Sequence, residues 1–380
     1  MPSNVTSYEL GAYRPPSEAY SLLLRLTHNC PWNRCRFYEM YKGQKFELRS
    51  VEEIKRDILT VAKIRDEITE MAQSPVYGND LHKAALAILN NPPDYIYQNV
   101  ALWLYKGRHN IFLQDANSLV MRTSDLTEVL KFLKQTLPTI NRITSYCRAK
   151  TAALKRLEEL QSFHEAGLTC LHIGLESGSD TILKMIDKGV TATEEIEGGK
   201  KVVASGISLS EYYLLGTGGK ALWQEHAIES ARVLNAINPD FIRVKTLSIH
   251  ERILLWQDIE NGNFIRTTDE EMMEELKLFI KNLDCRAYFT SDHIGNLLPE
   301  VEGKLPENKE KILAVIERFQ ALSPKERQVY RIGRRARYYN TLEDLKDPGL
   351  HQVVEELIER LSNGTGTVDE QIVYKMREAM

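Results

Sequence analysis

Two cysteines with four residues between them stand in the stretch RLTHNCPWNRCRFYEMYKG, residues 25–43. As thiolates, Cys30 and Cys35 can ligate one metal ion or part of an iron–sulfur cluster, with the intervening loop wrapped over it. Two thiolates are one short of a three-cysteine cluster cradle and two short of a zinc cage. Position 38, where a third cysteine would be expected, holds Tyr38. Phenolate can ligate iron, as in tyrosine-bound haem, but an unperturbed pKa near 10 makes it a reluctant ligand. On these residues alone, a metal site and two unpaired cysteines in a structured loop are both open.

Further along the chain, FLQDANSL (112–119) offers Asp115 and Asn117, which suit either hydrogen-bond acceptance from a ligand or a turn and helix cap. TSYCRAKT (144–151) offers Arg148 and Lys150. Either can pair with a ligand carboxylate, Arg148 through the planar fork of its guanidinium, or with a carboxylate of the protein. Glu176, with Gly174 two residues earlier, belongs to LHIGLESGSDTILKMIDKGVT (171–191). A carboxylate there calls for a ligand or a cationic neighbour, and Ser177 and Ser179 can add hydrogen bonds. Gly216, Gly218 and Gly219 in LLGTGGK let backbone approach a ligand closely. His28 and His250 suit a proton shuttle or, more plainly, a structural role. YRIGRRARYY (330–339) sets four arginines among aromatic residues, a pattern for RNA or phosphate binding or for an intramolecular ion-pair network.

The elements that must carry these residues repeat one plan of amphipathic helix, Gly or Pro punctuation and short β-rich run. Residues 51–72 place Ile54, Ile58, Val61, Ile64, Ile68 and Met71 at helical spacing. Residues 150–166 stop at Gly167, 193–205 at Gly206, and 223–237 before Asn238-Pro239, each leading into a strand. With 19–27, 110–114 and 142–147 added, six strands alternate with helices. Such alternation implies parallel strands joined by right-handed crossovers, as a doubly wound sheet or a full or partial β/α barrel, with chemistry at the C-terminal ends of the strands. Residues 73–109 interrupt the plan as a long insertion, expected to be a cap or a functional element. After about residue 250 helices are expected at 268–283, 307–322 and 342–362. This divides the chain into a core over 1–275 and a mainly helical C-terminal region over 276–380.

A chain of 380 residues, 43% hydrophobic and 27% charged, is long enough for a large core without staples. A net charge of −4 disfavours a protein dedicated to coating nucleic acid. The five cysteines are too sparse for a disulfide framework, and no run of about 18 apolar residues could span a bilayer. Reduced thiols in a cytoplasmic protein are the expectation.

The motifs NCPWNRCRFYEMYKG, FLQDANSL, TSYCRAKT, LHIGLESGSDTILKMIDKGVT, LLGTGGK and IRVKTLSI follow one another in barrel order. Over roughly residues 15–275 this series resembles the radical S-adenosylmethionine superfamily, in the branch of anaerobic coproporphyrinogen oxidase and the Elongator catalytic subunit. TSDHIGNLLPEVEGKLPENKEKIL (290–313) is similar to the C-terminal region of one subgroup of that branch. The resemblance implies a partial (β/α)6 TIM-like barrel with a helical C-terminal extension. It also implies a [4Fe–4S] cluster, S-adenosyl-L-methionine as cofactor, and hydrogen abstraction from a small-molecule or peptide substrate. A flavodoxin or ferredoxin would serve as electron donor, with no membrane partner and nucleic acid disfavoured.

Carried onto this sequence, the resemblance makes Cys30, Cys35 and Tyr38 the metal positions and sets Phe37 against adenine. Asp115 or Asn117 would receive the methionine amino group, Arg148 or Lys150 the carboxylate, Glu176 and Ser177 the ribose, and Gly216 the adenine. The chain departs from the family at two points: four residues separate its two cysteines where three are usual, and Tyr38 replaces the third cysteine. Tyr38 is then a true ligand, or a replacement that disables the cluster and leaves a non-catalytic binding or regulatory scaffold, or a residue bypassed by another thiol. Cys147 is the best placed spare, whereas Cys170 lies at the wrong end of its strand.

Overall fold

The computed structural model describes residues 8–107, 109–362, 368 and 371–372. Its strands are β1 (Leu22–Arg25), β2 (Thr27–His28), β3 (Glu47–Leu48), β4 (Asn110–Gln114), β5 (Arg142–Cys147), β6 (Cys170–Glu176), β7 (Ser208–Leu215), β8 (Phe241–Thr246), β9 (Tyr288–Thr290) and β10 (Gly303–Lys304). The main sheet is ordered β1-β4-β5-β6-β7-β8-β9-β10, while β2 and β3 form a separate antiparallel pair. The fold is α/β with a mostly parallel, unclosed sheet, as a partial (β/α)6 TIM-like barrel requires. Its first six main strands coincide with the six expected. β9 and β10 are additional, β9 running parallel to β8 and β10 antiparallel to β9. They lie in the region expected to be helical; at three and two residues they are too short to leave a periodic signal.

The chain forms two compact units: Met1–Cys35 with Glu39–Gly174 and Asp187–Glu211, and Arg36–Tyr38 with Leu175–Ile186 and Tyr212–Met380. The division between these units cuts through β6 and β7.

In the first unit β1, β4, β5 and β6 are parallel, in registers such as Leu23↔Phe112, Ile111↔Ile143 and Ser145↔Leu171. Their apolar residues are buried, as expected of strands covered on both faces. The helix Val51–Ala72 starts from a capping box between Ser50 and Glu53 and buries the Ile54, Ile58, Val61, Ile64 and Ile68 stripe. The 73–109 insertion folds into helices Leu81–Asn90 and Tyr95–Tyr105, the latter capped by Asp94, both packed on Val51–Ala72. The helix expected over 150–166 is two, Ala149–Leu154 and Leu157–Glu165, because Lys155 and Arg156 are extended. Beneath the strands Glu18, fully buried, receives Arg142 at 2.7 Å, His172 at 3.2 Å and Ser21 at 2.6 Å.

In the second unit the helices Gly219–Ile237 and Asp269–Asn282 pack together, with Tyr213 of β7 stacked on Phe279 at 3.9 Å. Leu214, Leu247, Ile249, Ile253, Leu255 and Phe264 form an apolar cluster. Helices Lys309–Ala321, Pro324–Arg335 and Pro348–Ser362 complete the described part of the unit. Thr268 and Ser323 open their helices through capping boxes with Glu271 and Glu326.

Candidate functional site

The cysteine loop follows β2 in the first unit. Asn29 and Asn33 take left-handed backbone conformations (φ 63° and 45°), which asparagine tolerates, and these curl the chain around Cys30. Both thiols are buried, Cys30 at 6% and Cys35 at 4% exposure. The Asn33 amide donates to Cys30 Sγ at 3.5 Å. Lys42 donates to the Asn33 carbonyl at 2.8 Å, and burial holds its ammonium below the ordinary pKa while Cys35 and Cys30 both pull it back up.

Trp32, between the two cysteines, locks the loop to the turn after residue 186. Its Nε1 donates to the Asp187 carbonyl at 2.7 Å, and Arg34 and Arg148 lie over its ring at 4.8 and 5.0 Å. At Gly189 (φ 68°) a Cβ would come within 2.2 Å of the Trp32 ring, so only glycine allows this approach. The sequence reading passed over Trp32; a lone tryptophan between two cysteines was the available signal. Arg148 also donates to the Lys188 carbonyl at 2.5 Å, while Lys150 pairs with Glu194 at 2.9 Å on the helix Ala192–Ala204 and is not drawn to the loop.

Asp115 and Asn117 follow β4 and are both buried. Asp115 Oδ2 accepts from Arg25 Nε at 2.9 Å and from the Asn29 amide at 3.2 Å, which joins it to the residue before Cys30. Tyr41 connects the same neighbourhood: burial raises its hydroxyl pKa, and Asp115, Cys30 and Tyr13 raise it further. Asp115 Oδ1, facing Gly11, is buried without a partner. Asn117 Nδ2 donates to Thr151 Oγ1 at 2.7 Å, and its Oδ1 is likewise buried and unpartnered. His28 sits between Glu9 (2.9 Å) and Glu47 (3.5 Å), a structural role.

In the second unit Phe37 packs on the Leu214–Leu247–Ile249 cluster, and its ring meets Tyr38 edge-on at 5.0 Å. Glu176 holds a left-handed conformation, φ 59°, unusual for a side chain of its size. His226 Nε2 donates to the Glu176 carbonyl at 3.0 Å. Three donors converge on Glu275 Oε1: the Tyr213 hydroxyl at 2.7 Å, His226 Nδ1 at 2.9 Å and the Gly216 amide at 3.0 Å. This buried network fixes the backbones of Glu176 and Gly216 together, and neither His226 nor Glu275 stood out in the sequence. Ser177 Oγ accepts from the Ser179 amide at 3.2 Å, shaping the turn that caps Asp180–Met185. At Gly178 a Cβ would meet the Glu229 carbonyl at 2.3 Å, so the glycine of GLESGSD serves close helix packing.

Gly216 also borders a cavity of about 440 Å³ whose wall includes Leu247, Ile249, Met272, His293 and Arg266. Arg331 and Arg335 line it too, held by Glu270 and Asp269 with Arg335 at 2.6 Å from Asp269, so these two members of YRIGRRARYY belong to an ion-pair network.

The donors suit an iron–sulfur group at two thiols and offer phenol oxygen, itself an iron ligand, at the third sequence position. Among the described residues no set of three or more His, Cys, Asp or Glu forms a metal site. The Cys147 thiol lies 3.2 Å from the Arg148 carbonyl, and burial, with Glu211 and Glu195 nearby, raises its pKa. None of the five cysteines is in a disulfide, and no described helix is long and apolar enough to cross a membrane.

No family model matches the sequence, and no curated protein matches it. Solved structures similar to the chain include radical S-adenosylmethionine enzymes. Elp3 of Methanocaldococcus infernus is 15% identical, with 62% of this chain and 61% of that one covered and a TM-score of 0.44. Coproporphyrinogen III oxidase HemN of Escherichia coli is 12% identical over 69% of this chain and 51% of its own, at 0.45. The methyltransferase TsrM of Kitasatospora setae, solved with cobalamin and a [4Fe–4S] cluster, is 12% identical over 95% and 61%, at 0.44. The chain thus spans about half to three-fifths of these proteins' lengths.

Proposed function

We propose that this chain is a radical S-adenosylmethionine enzyme acting on a small-molecule or peptide substrate, with its cluster on Cys30, Cys35 and Tyr38. The observation that carries the reading is the pair of buried thiols on one loop, one of them already taking an amide hydrogen bond. Bound there, the cluster and S-adenosylmethionine supply reductive C–S cleavage and a 5′-deoxyadenosyl radical.

The chain's own residues do the rest. The Asn33 amide, already donating to Cys30 Sγ, and Lys42, held on the Asn33 carbonyl, set the polar side of the loop. The unpartnered Asn117 Oδ1 and Asp115 Oδ1 suit the methionine ammonium, since a buried acceptor left without a donor is costly. Arg148, whose hydrogen bonds go to carbonyls, is the cation for the methionine carboxylate. In the second unit Phe37, Glu176, Ser177 and Gly216 are the adenosine contacts of this reading, Lys150 being left to Glu194. A reducing, cytoplasmic setting and a flavodoxin- or ferredoxin-like donor go with it.

Tyr38 itself favours a second reading, a cluster-deficient scaffold with a binding or regulatory role. Anaerobic reconstitution followed by iron and sulfide counting and electron paramagnetic resonance separates the two. A cluster in the wild type that is lost in Cys30→Ser and Cys35→Ser, reduced in Tyr38→Phe and kept or increased in Tyr38→Cys supports the enzyme. Wild-type iron no higher than in Cys30→Ser would establish the scaffold instead.

A further inference from the structure

TSDHIGN spans residues 290–296. It leaves β9 as a loop tied down at both ends. Asp292 Oδ2 accepts from Arg243 at 3.0 Å. Asn296, 3% exposed, accepts from the amide and hydroxyl of Thr246 at 2.9 and 3.0 Å and donates to the Val244 carbonyl at 2.8 Å and Ser291 Oγ at 3.0 Å. Between these anchors His293 Nδ1 accepts from the Gly295 amide at 3.1 Å, which places the ring hydrogen on Nε2. Burial, with Lys245 nearby, pushes the His293 pKa down to about 4, so near neutral pH the ring is an uncharged hydrogen-bond donor.

His293, Ile294 and Gly295 line the cavity of about 440 Å³, a volume in the range of small-molecule sites. Leu247, Ile249 and Met272 supply apolar wall. Arg331 and Arg335 are tied to Glu270 and Asp269, and Arg266 lies over the Trp256 ring at 4.8 Å. Three guanidinium groups line the space against two carboxylates, so with an uncharged His293 the wall keeps a positive excess.

We propose that this cavity binds a small organic molecule with an apolar body and one oxyanion group, carboxylate or phosphate, received by Arg266 and His293 Nε2. That the molecule is the enzyme's substrate rests on the function proposed above; the binding itself does not.

The test titrates the full-length protein with 3-phenylpropionate, phenyl phosphate and the uncharged 3-phenylpropanamide, followed by calorimetry. At least one acid is expected to bind on the order of tenfold tighter than the amide, because charge-assisted hydrogen bonds exceed neutral ones. Which acid wins identifies the oxyanion. Arg266→Gln and His293→Phe should each cut the preference for acid over amide severalfold; Arg266→Gln suffices if His293→Phe melts early. Equal binding of acid and amide, no binding of either acid, or an undiminished preference in Arg266→Gln overturns the proposal. In Cys30→Ser the binding should persist. A protein that binds the acid but never takes up a cluster refutes only the radical chemistry, and one that takes up a cluster but not the acid refutes only this proposal.

Discussion

Glu18 shows how much a single buried carboxylate can carry. Desolvation alone would raise its pKa, yet hydrogen bonds from His172, Arg142 and Ser21 bring it down to about 2. A depressed carboxylate stabilises the fold above its unfolded pKa, and that contribution disappears as pH falls through the folded value. The window therefore runs from about 4.5 down to about 2, and the full contribution near neutral pH is about 3 kcal/mol. Glu18→Gln should lower stability at pH 7 by that amount and flatten the acid limb, read by chemical denaturation at several pH values. An unchanged acid limb would mean that Glu18 is not held by its three partners. At this scale the sequence was informative wherever chemistry is written in residue type: Cys30, Cys35, Asp115 and Glu176 all drew notice from their side chains and positions. Trp32 and Glu275 of the Tyr213–His226–Glu275 network did not, because their roles arise from contacts between segments far apart in the chain.

At the scale of elements, strand–helix alternation made the six parallel strands legible, since apolar runs closed by glycine or proline report burial and chain reversal directly. The 150–166 segment reads as one helix because Leu154, Leu157 and Leu160 keep helical spacing, but Lys155 and Arg156 are extended and divide it, leaving Leu154 largely exposed. β9 escaped notice because its place is set by hydrogen bonds to β8, with no periodicity of its own. The element most dependent on a hidden partner is the end of β6, where Glu176 keeps its left-handed backbone under a hydrogen bond from His226. Glu275→Leu removes the acceptor of three buried donors and should cost about 3 kcal/mol or more, whereas Glu275→Gln, which keeps a carbonyl oxygen, should recover part of it. Thermal melts of the two variants make the comparison. A Leu variant as stable as the wild type would show that the network does not hold Glu176.

For the molecule as a whole, length, composition and a net charge of −4 limited the class without choosing a function. The order of motifs along the chain is what the proposed function rests on, and of its two departures from the pattern it resembles, Tyr38 bears most directly on whether the proposed cluster forms. A phenol must give up a proton less readily than a thiol before it can bind iron, and its oxygen stands further from the backbone than a cysteine sulfur. A cluster on two thiolates and a phenolate should accordingly be more easily lost than one on three thiolates. The most direct measurement is the yield of 5′-deoxyadenosine from anaerobically reconstituted, chemically reduced protein supplied with S-adenosylmethionine. The account predicts that the wild type forms it, that Cys30→Ser and Cys35→Ser do not, and that Tyr38→Cys forms more. No 5′-deoxyadenosine from either the wild type or Tyr38→Cys would contradict it.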